Sequence, residues 1–163
     1  MDEAKIVIAG TGRAGTTLLV QVLTELGCDT GFRPGVRPDE HARAGLERNV
    51  LAANAPRIVK SPRLSTKLRP MLEAGEVRLE HVIVPVRDLD VAAASRVRAA
   101  SYGREAKNWG GLFGTNRATK QREALALVLY ELVYTLARFD VPHTLLLFPR
   151  FAEDAAYLHA KLG

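Results

Sequence analysis

The stretch Lys5-Ile6-Val7-Ile8-Ala9-Gly10-Thr11-Gly12-Arg13-Ala14-Gly15-Thr16-Thr17-Leu18-Leu19 constrains this chain more than any other. Its apolar start suits a buried strand over residues 5–9, and Gly10, Gly12 and Gly15 suit a tight turn. Leu18, Leu19, Val22, Leu23 and Leu26 then recur at helical spacing, which predicts a helix over 16–26 with these residues on one face and Gly27 as its stop. Glycines let the backbone aim its N–H groups inward, and a helix start adds unpaired donors and partial positive charge. Such a corner holds an anion, most often a phosphate.

The rest of the chain repeats the alternation of strand and helix. Arg57-Ile58-Val59-Lys60 reads as a second strand ended by Ser61-Pro62, and a helix over about 63–74 carries Pro70 and stops at Gly75. His81-Val82-Ile83-Val84-Pro85-Val86 is a third strand, with Pro85 expected at its end because proline removes a ladder donor. Asp88 or Asp90 is placed to cap a helix over about 90–101. Residues 119–139 form a helix apolar almost all round, which predicts deep burial. Residues 144–148 are a fourth strand and 151–162 a closing helix.

The remaining segments read less regularly. Residues 30–38 carry Arg33-Pro34-Gly35 and Arg37-Pro38 and read as loop, and Asp39 is placed to cap a helix over about 40–53. Residues 102–118 read as a mobile loop or lid. The expected architecture is a single domain over 1–163, of the α/β class. It is a three-layer α/β/α fold with a P-loop-like parallel sheet of about four or five strands. Ligands in such folds sit beyond the carboxyl ends of the strands, where this sequence puts Gly10–Thr17, Lys60-Ser61 and Arg87-Asp88.

Composition narrows the partners. The net charge is +5, yet the arginines are scattered, with no basic run and no aromatic ladder. That pattern favours a small anionic ligand over nucleic acid. Cys28 is the single cysteine, which leaves no disulfide framework and no cysteine-based zinc site. No apolar run reaches the length of a membrane span and no signal peptide is visible, so the expectation is a cytoplasmic protein without membrane contact.

Three phosphate loops compete for Gly10–Thr17. Gly10 to Gly15 satisfies the dinucleotide pattern G-x-G-x-x-G, which needs an acid at the end of a second strand about 20 residues on. Asp29 stands near that position, in a stretch that does not read as a strand. The nucleoside-triphosphate loop fits in length, but Thr16 stands where its lysine should neutralise the β- and γ-phosphates. A kinase with an altered loop and a non-catalytic nucleotide-binding domain therefore stay as alternatives.

The third reading is a resemblance. Arg13-Ala14-Gly15-Thr16-Thr17-Leu18-Leu19 resembles the 5′-phosphosulfate loop of the sulfotransferases that use 3′-phosphoadenosine-5′-phosphosulfate (PAPS). That family also has a strand ending in Arg, with Ser eight residues later, and Arg87 and Ser95 match this spacing. Ile58-Val59-Lys60-Ser61-Pro62 is more loosely similar to its central strand, and Val141–Phe148 with the closing helix to its C-terminal part. Two features depart from the family. Ser61 and Pro62 stand where cytosolic members carry a histidine base, and the sequence stops before a late basic-glycine segment, so a minimal or divergent member is expected.

The resemblance implies sulfuryl transfer from PAPS to a hydroxyl or amine of a small molecule, with no metal. It assigns cofactor binding to Gly12, Arg13, Ala14, Gly15, Thr16, Thr17, Arg87 and Ser95. Arg13 would neutralise the departing phosphate and Lys60 would assist from the neighbouring strand. From residue chemistry, Glu40 and His41 are the candidate bases, because they follow the loop after the first helix where an acceptor could enter. His81, His143 and His159 read as structural, and Tyr102 and Trp109 as acceptor-pocket or lid residues. The acceptor's identity and the oligomeric state are not written in the sequence.

Overall fold

The apolar runs pair side by side as parallel strands. In a computed structural model, which describes residues 3–38, 45–61, 64–101 and 117–163, the first is β1 (Lys5–Ile8), followed by α1 (Thr16–Glu25). Then come β2 (Ile58–Lys60), α2 (Leu64–Glu73), β3 (Leu79–Val86) and α3 (Leu89–Ser101). The chain closes with α4 (Ala118–Arg138), β4 (His143–Leu147), α5 (Arg150–Glu153) and α6 (Ala155–Leu162). The sheet order is β2-β1-β3-β4, with Val7 opposite Val59 and Val82, Ile8 opposite Ile83, and Val84 opposite Leu145.

A strand's period of two sorts these residues onto two faces. Val7, Val59, Val82 and Val84 pack with Leu64 and Leu68 of α2 and Leu132 and Leu136 of α4. Ile8, Ile58, Ile83 and Leu146 pack with Leu19, Val20 and Leu23 of α1 and Phe151 of α5. Helices therefore cover both faces of one parallel sheet, which is the three-layer α/β/α fold expected from the alternation.

Pro85 lies inside β3, opposite Leu146, rather than at its end. Its position explains why the sheet tolerates it. Ile83 O accepts from Ala9 N, so the odd-numbered residues of β3 face β1, while Val86 O accepts from Phe148 N on the β4 side. Pro85 thus turns its missing donor toward β1 just past the Ala9 N to Ile83 O bond, where the β1–β3 ladder ends, and the β4 side of β3 keeps its donors.

Other expectations also need correction. The described part of 40–53 is not helical: Leu46 has φ 56°, Asn49 Oδ1 accepts from Leu51 N, and Arg48 N donates to Lys60 O. Asparagine's side chain there competes with helix formation, and the long-range bond holds the segment along β2. The closing helix is two helices, broken at Asp154, whose extended backbone (φ −128°) lets its carboxylate cap Tyr157 N at 2.8 Å. Helix α4 is not buried all round, since Leu127, Tyr130 and Tyr134 are exposed. In α1, Leu18 and Leu26 are exposed while Leu19, Val20 and Leu23 form the buried stripe. The boundaries also shift: β3 begins at Leu79, ahead of His81, and β4 takes in His143 and ends at Leu147. Of the two caps proposed for α3, Asp88 serves, its Oδ1 accepting from Val91 N at 2.9 Å.

Candidate functional site

After β1 the chain crosses to one side to form β2, then returns over β1 to form β3. The sheet therefore has its topological switch point between β1 and β3, where a crevice opens outside the carboxyl ends of the strands. Gly10–Thr17 leaves β1 and Arg87 leaves β3 at this same place.

The loop needs its glycines. Gly12 and Gly15 have φ of 74° and 82°, in the left-handed region, and Arg13 between them also sits there at 59°. A Cβ on Gly15 would stand 2.5 Å from the Phe148 ring, so the residue is small as well as left-handed. Gly10 is pinned by Ser65, which accepts from its N–H at 2.9 Å and donates to its carbonyl at 2.6 Å. Gly15 caps α1 without a side-chain bond, and among the described residues the amides of 11–18 have no acceptor. A run of unpaired donors through a left-handed turn into a helix start is the geometry of an anion nest.

Guanidinium groups surround this turn. Arg13 Nε donates to Ser95 Oγ at 3.1 Å, and Arg87 Nη1 donates to the Arg13 carbonyl at 3.0 Å. Arg87 also lies 5.0 Å from the centre of the Phe148 ring, the same ring that covers Gly15. Arg96 reaches in from α3 and donates through Nη2 to Thr11 O at 3.1 Å. Among the described residues, no carboxylate is within ion-pairing distance of any of the three. The glycine turn and the Arg87–Ser95 pair therefore meet, through Arg13.

Lys60 sits beside the loop for a different reason. It shares a sheet face with Ile8, so its side chain points toward α1 and donates to Thr17 Oγ1 at 2.9 Å. The same ammonium also donates to the Gly45 carbonyl and lies 3.6 Å from Glu47 Oε1. Burial, to 5% exposure, pushes its pKa below the ordinary lysine value, with Glu47 opposing that shift. Lys60 thus ties the 45–47 segment to the second threonine of the loop.

Gly12, Arg13, Ala14, Gly15, Thr16, Thr17, Lys60, Arg87 and Ser95 gather at one edge of the sheet, with Ala14 fully buried beneath the turn. Glu40 and His41 lie outside the described residues, as do Asp39, Tyr102, Trp109 and nearly all of the 102–118 loop. His81 bonds Thr144 Oγ1 at 2.8 Å and His143 bonds Val141 O at 2.9 Å. Both stand near the starts of their strands, at the opposite edge of the sheet from the loop.

Sequence reasoning missed Ser65, Phe148 and Arg96. Arg96 had a usable signal: it lies three and four residues after the buried Ala93 and Ala92, so helix periodicity puts it on the inner side of α3. Neither a scan against protein-family models nor searches among curated proteins and solved structures finds a match to this chain.

Proposed function

We propose that this chain is a PAPS-dependent sulfotransferase acting on a hydroxyl or amine of a small molecule. One observation carries the reading: the glycine turn with its open amides and the Arg87–Ser95 pair meet at the same switch point. Two anion-holding groups, adjacent yet on separate strands and helices, suit a ligand with two phosphate-like ends better than a single phosphate. An absent loop lysine, with Thr16 in its place, weighs against the kinase alternative.

On this reading the donor supplies the sulfuryl group, the acceptor oxygen or nitrogen bonds to sulfur, and the bond from sulfur to the bridging phosphate oxygen breaks. The amides of 12–17 and the hydroxyls of Thr16 and Thr17 hold the 5′ end, and Arg13 offsets charge on the departing phosphate. Arg87 and Ser95 hold the 3′-phosphate, where a planar guanidinium fork suits its oxygens. Lys60 keeps Thr17 oriented through its 2.9 Å bond. Glu40 or His41 takes the acceptor's proton.

An apolar groove of about 460 Å³ runs along α1 from Leu18 to Leu26, against Val36, and begins one residue from Thr17. It supports an acceptor with an apolar body. Among the described residues no helix is long and apolar enough to cross a membrane. The proposal places the reaction in the cytoplasm, with neither membrane nor nucleic acid as partner.

A second reading has its own support. Lys60 is already held by Thr17, Gly45 and Glu47, which fits a nucleotide-binding domain without turnover. Thermal stabilisation by adenosine 3′,5′-bisphosphate, ATP and NAD, measured side by side, tests the binding. The bisphosphate is expected to raise the midpoint most, and a preference for ATP or NAD would contradict the assignment. Transfer of labelled sulfate from PAPS to a panel of phenols, alcohols and amines then separates enzyme from binder.

A further inference from the structure

Among the described residues, Arg96 is the one basic side chain at the turn that the resemblance does not account for, and its surroundings are unfavourable for a cation. Its Nε is buried and without a hydrogen-bond partner. Its Nη2 spends one donor on the Thr11 carbonyl, 3.1 Å away. The guanidinium lies against Gly12, where an added Cβ would come within 2.5 Å of Nη2. Burial, and then the charge of Arg13, lower its pKa from the ordinary arginine value. Two guanidiniums thus crowd one turn, among described residues that supply no carboxylate. A buried donor left unmade costs free energy, and so does a second guanidinium, here the exposed Arg13, beside a partly buried one. A structural arginine would be placed to avoid both costs.

We propose that Arg96 is a ligand-binding residue, a second guanidinium that closes with Arg13 on a phosphate-class dianion seated on the Thr11–Gly15 turn. This rests on the functional reading above and extends it by one residue and by the charge of the group bound. A dianion at the turn offsets the repulsion between Arg13 and Arg96 and gives their unpaired N–H groups an acceptor. Gly12 serves the same purpose, because any side chain there would occupy the space of the Arg96 fork. Arg98, exposed on the outer side of α3, lies off that face.

The test uses the full chain and two variants, Arg96→Met and Arg96→Lys, with thermal midpoints recorded without ligand, with adenosine 3′,5′-bisphosphate and with pyrophosphate. Without ligand, Arg96→Met is expected to melt no lower than wild type, because it removes a poorly satisfied buried cation. With ligand, its stabilisation is expected to fall by more than half, and Arg96→Lys, which keeps charge but loses the fork, should fall between. A ligand-induced shift that survives intact in Arg96→Met overturns the proposal, whatever the midpoint of the free variant. A lower midpoint in ligand-free Arg96→Met with unchanged binding makes Arg96 structural and also overturns it. If Arg96→Met does not fold, Arg96→Lys decides: a full wild-type shift overturns the proposal and a reduced one supports it. Should wild type respond to pyrophosphate but not to the bisphosphate, the nucleotide reading fails while the Arg96 comparison is still scored on pyrophosphate. A wild type that responds to neither overturns both.

Discussion

The two ends of the parallel sheet treat their basic residues in opposite ways. At the end where the strands begin, Arg57 donates to both oxygens of Glu80 at 2.9 and 2.8 Å and pairs with Glu3 at 3.3 Å. Lys5 pairs with the same Glu3 at 3.4 Å. At the end where the strands finish, the partners of Arg13, Arg87 and Arg96 among the described residues are carbonyls, a hydroxyl and a ring. Arg57 and Lys5 thus face carboxylates at the starting end, and at the finishing end Lys60 faces Glu47 while the three arginines around the turn face none among the described residues. Leftover charge beside open amides is what distinguishes a binding edge from a solvated one.

Variants can break or sharpen that contrast, beginning with the largest expected effect. Gly15→Ala forces a side chain into a left-handed position and against Phe148, and should cost about 2–4 kcal/mol of stability together with bisphosphate binding. Chemical denaturation checks the first part and calorimetry the second. Arg87→Ala removes a charge-assisted contact and should weaken bisphosphate binding by roughly 10- to 100-fold, since such bonds contribute about 1.5–3 kcal/mol. Its ligand-free midpoint should change little, and an unchanged Kd would put Arg87 outside the site.

Glu80→Gln acts on the balanced end. It breaks an exposed pair, so stability should move by no more than about 1 kcal/mol and bisphosphate affinity should stay at the wild-type value. A loss of affinity in this variant would mean that the two ends are coupled. The smallest effect is a pH dependence at His81, whose pKa lies below the ordinary histidine value because of burial first and the neighbouring His143 second, with Glu80 opposing. The unfolded chain then takes up the proton first as pH falls through about 6.5, so stability declines from there down through the folded pKa. His81→Gln should flatten that decline in melts between pH 7 and 5, and an unaltered slope would assign it to other groups.

The contrast also shows what a sequence carries. The glycine turn was legible because strand, turn and helix are contiguous, and local sterics fix their order. Arg87 and Ser95 were legible because one strand end and one helix phase place both. The pairings that hold the turn in place were harder to read. Ser65 reaches Gly10 across 55 positions, and Phe148 meets Gly15 only because the end of β4 comes to lie beside the start of α1. The segment after residue 45 has helix-forming composition, but Arg48 bonds the end of β2 and Asn49 turns the chain instead. Such long-range competition leaves no periodic trace. Glu40 and His41 lie outside the described residues, so the proposed proton acceptor stands on sequence alone.

On the proposed function, the positive charge at the strand-finishing edge belongs to a bound nucleotide bisphosphate. A crystal structure of the protein soaked with adenosine 3′,5′-bisphosphate tests it most directly. The account predicts one phosphate on the amides of Gly12–Thr17 and the other within hydrogen-bonding distance of Arg87 and Ser95. A nucleotide seated elsewhere, with these side chains still bonded only to Arg13, would contradict it.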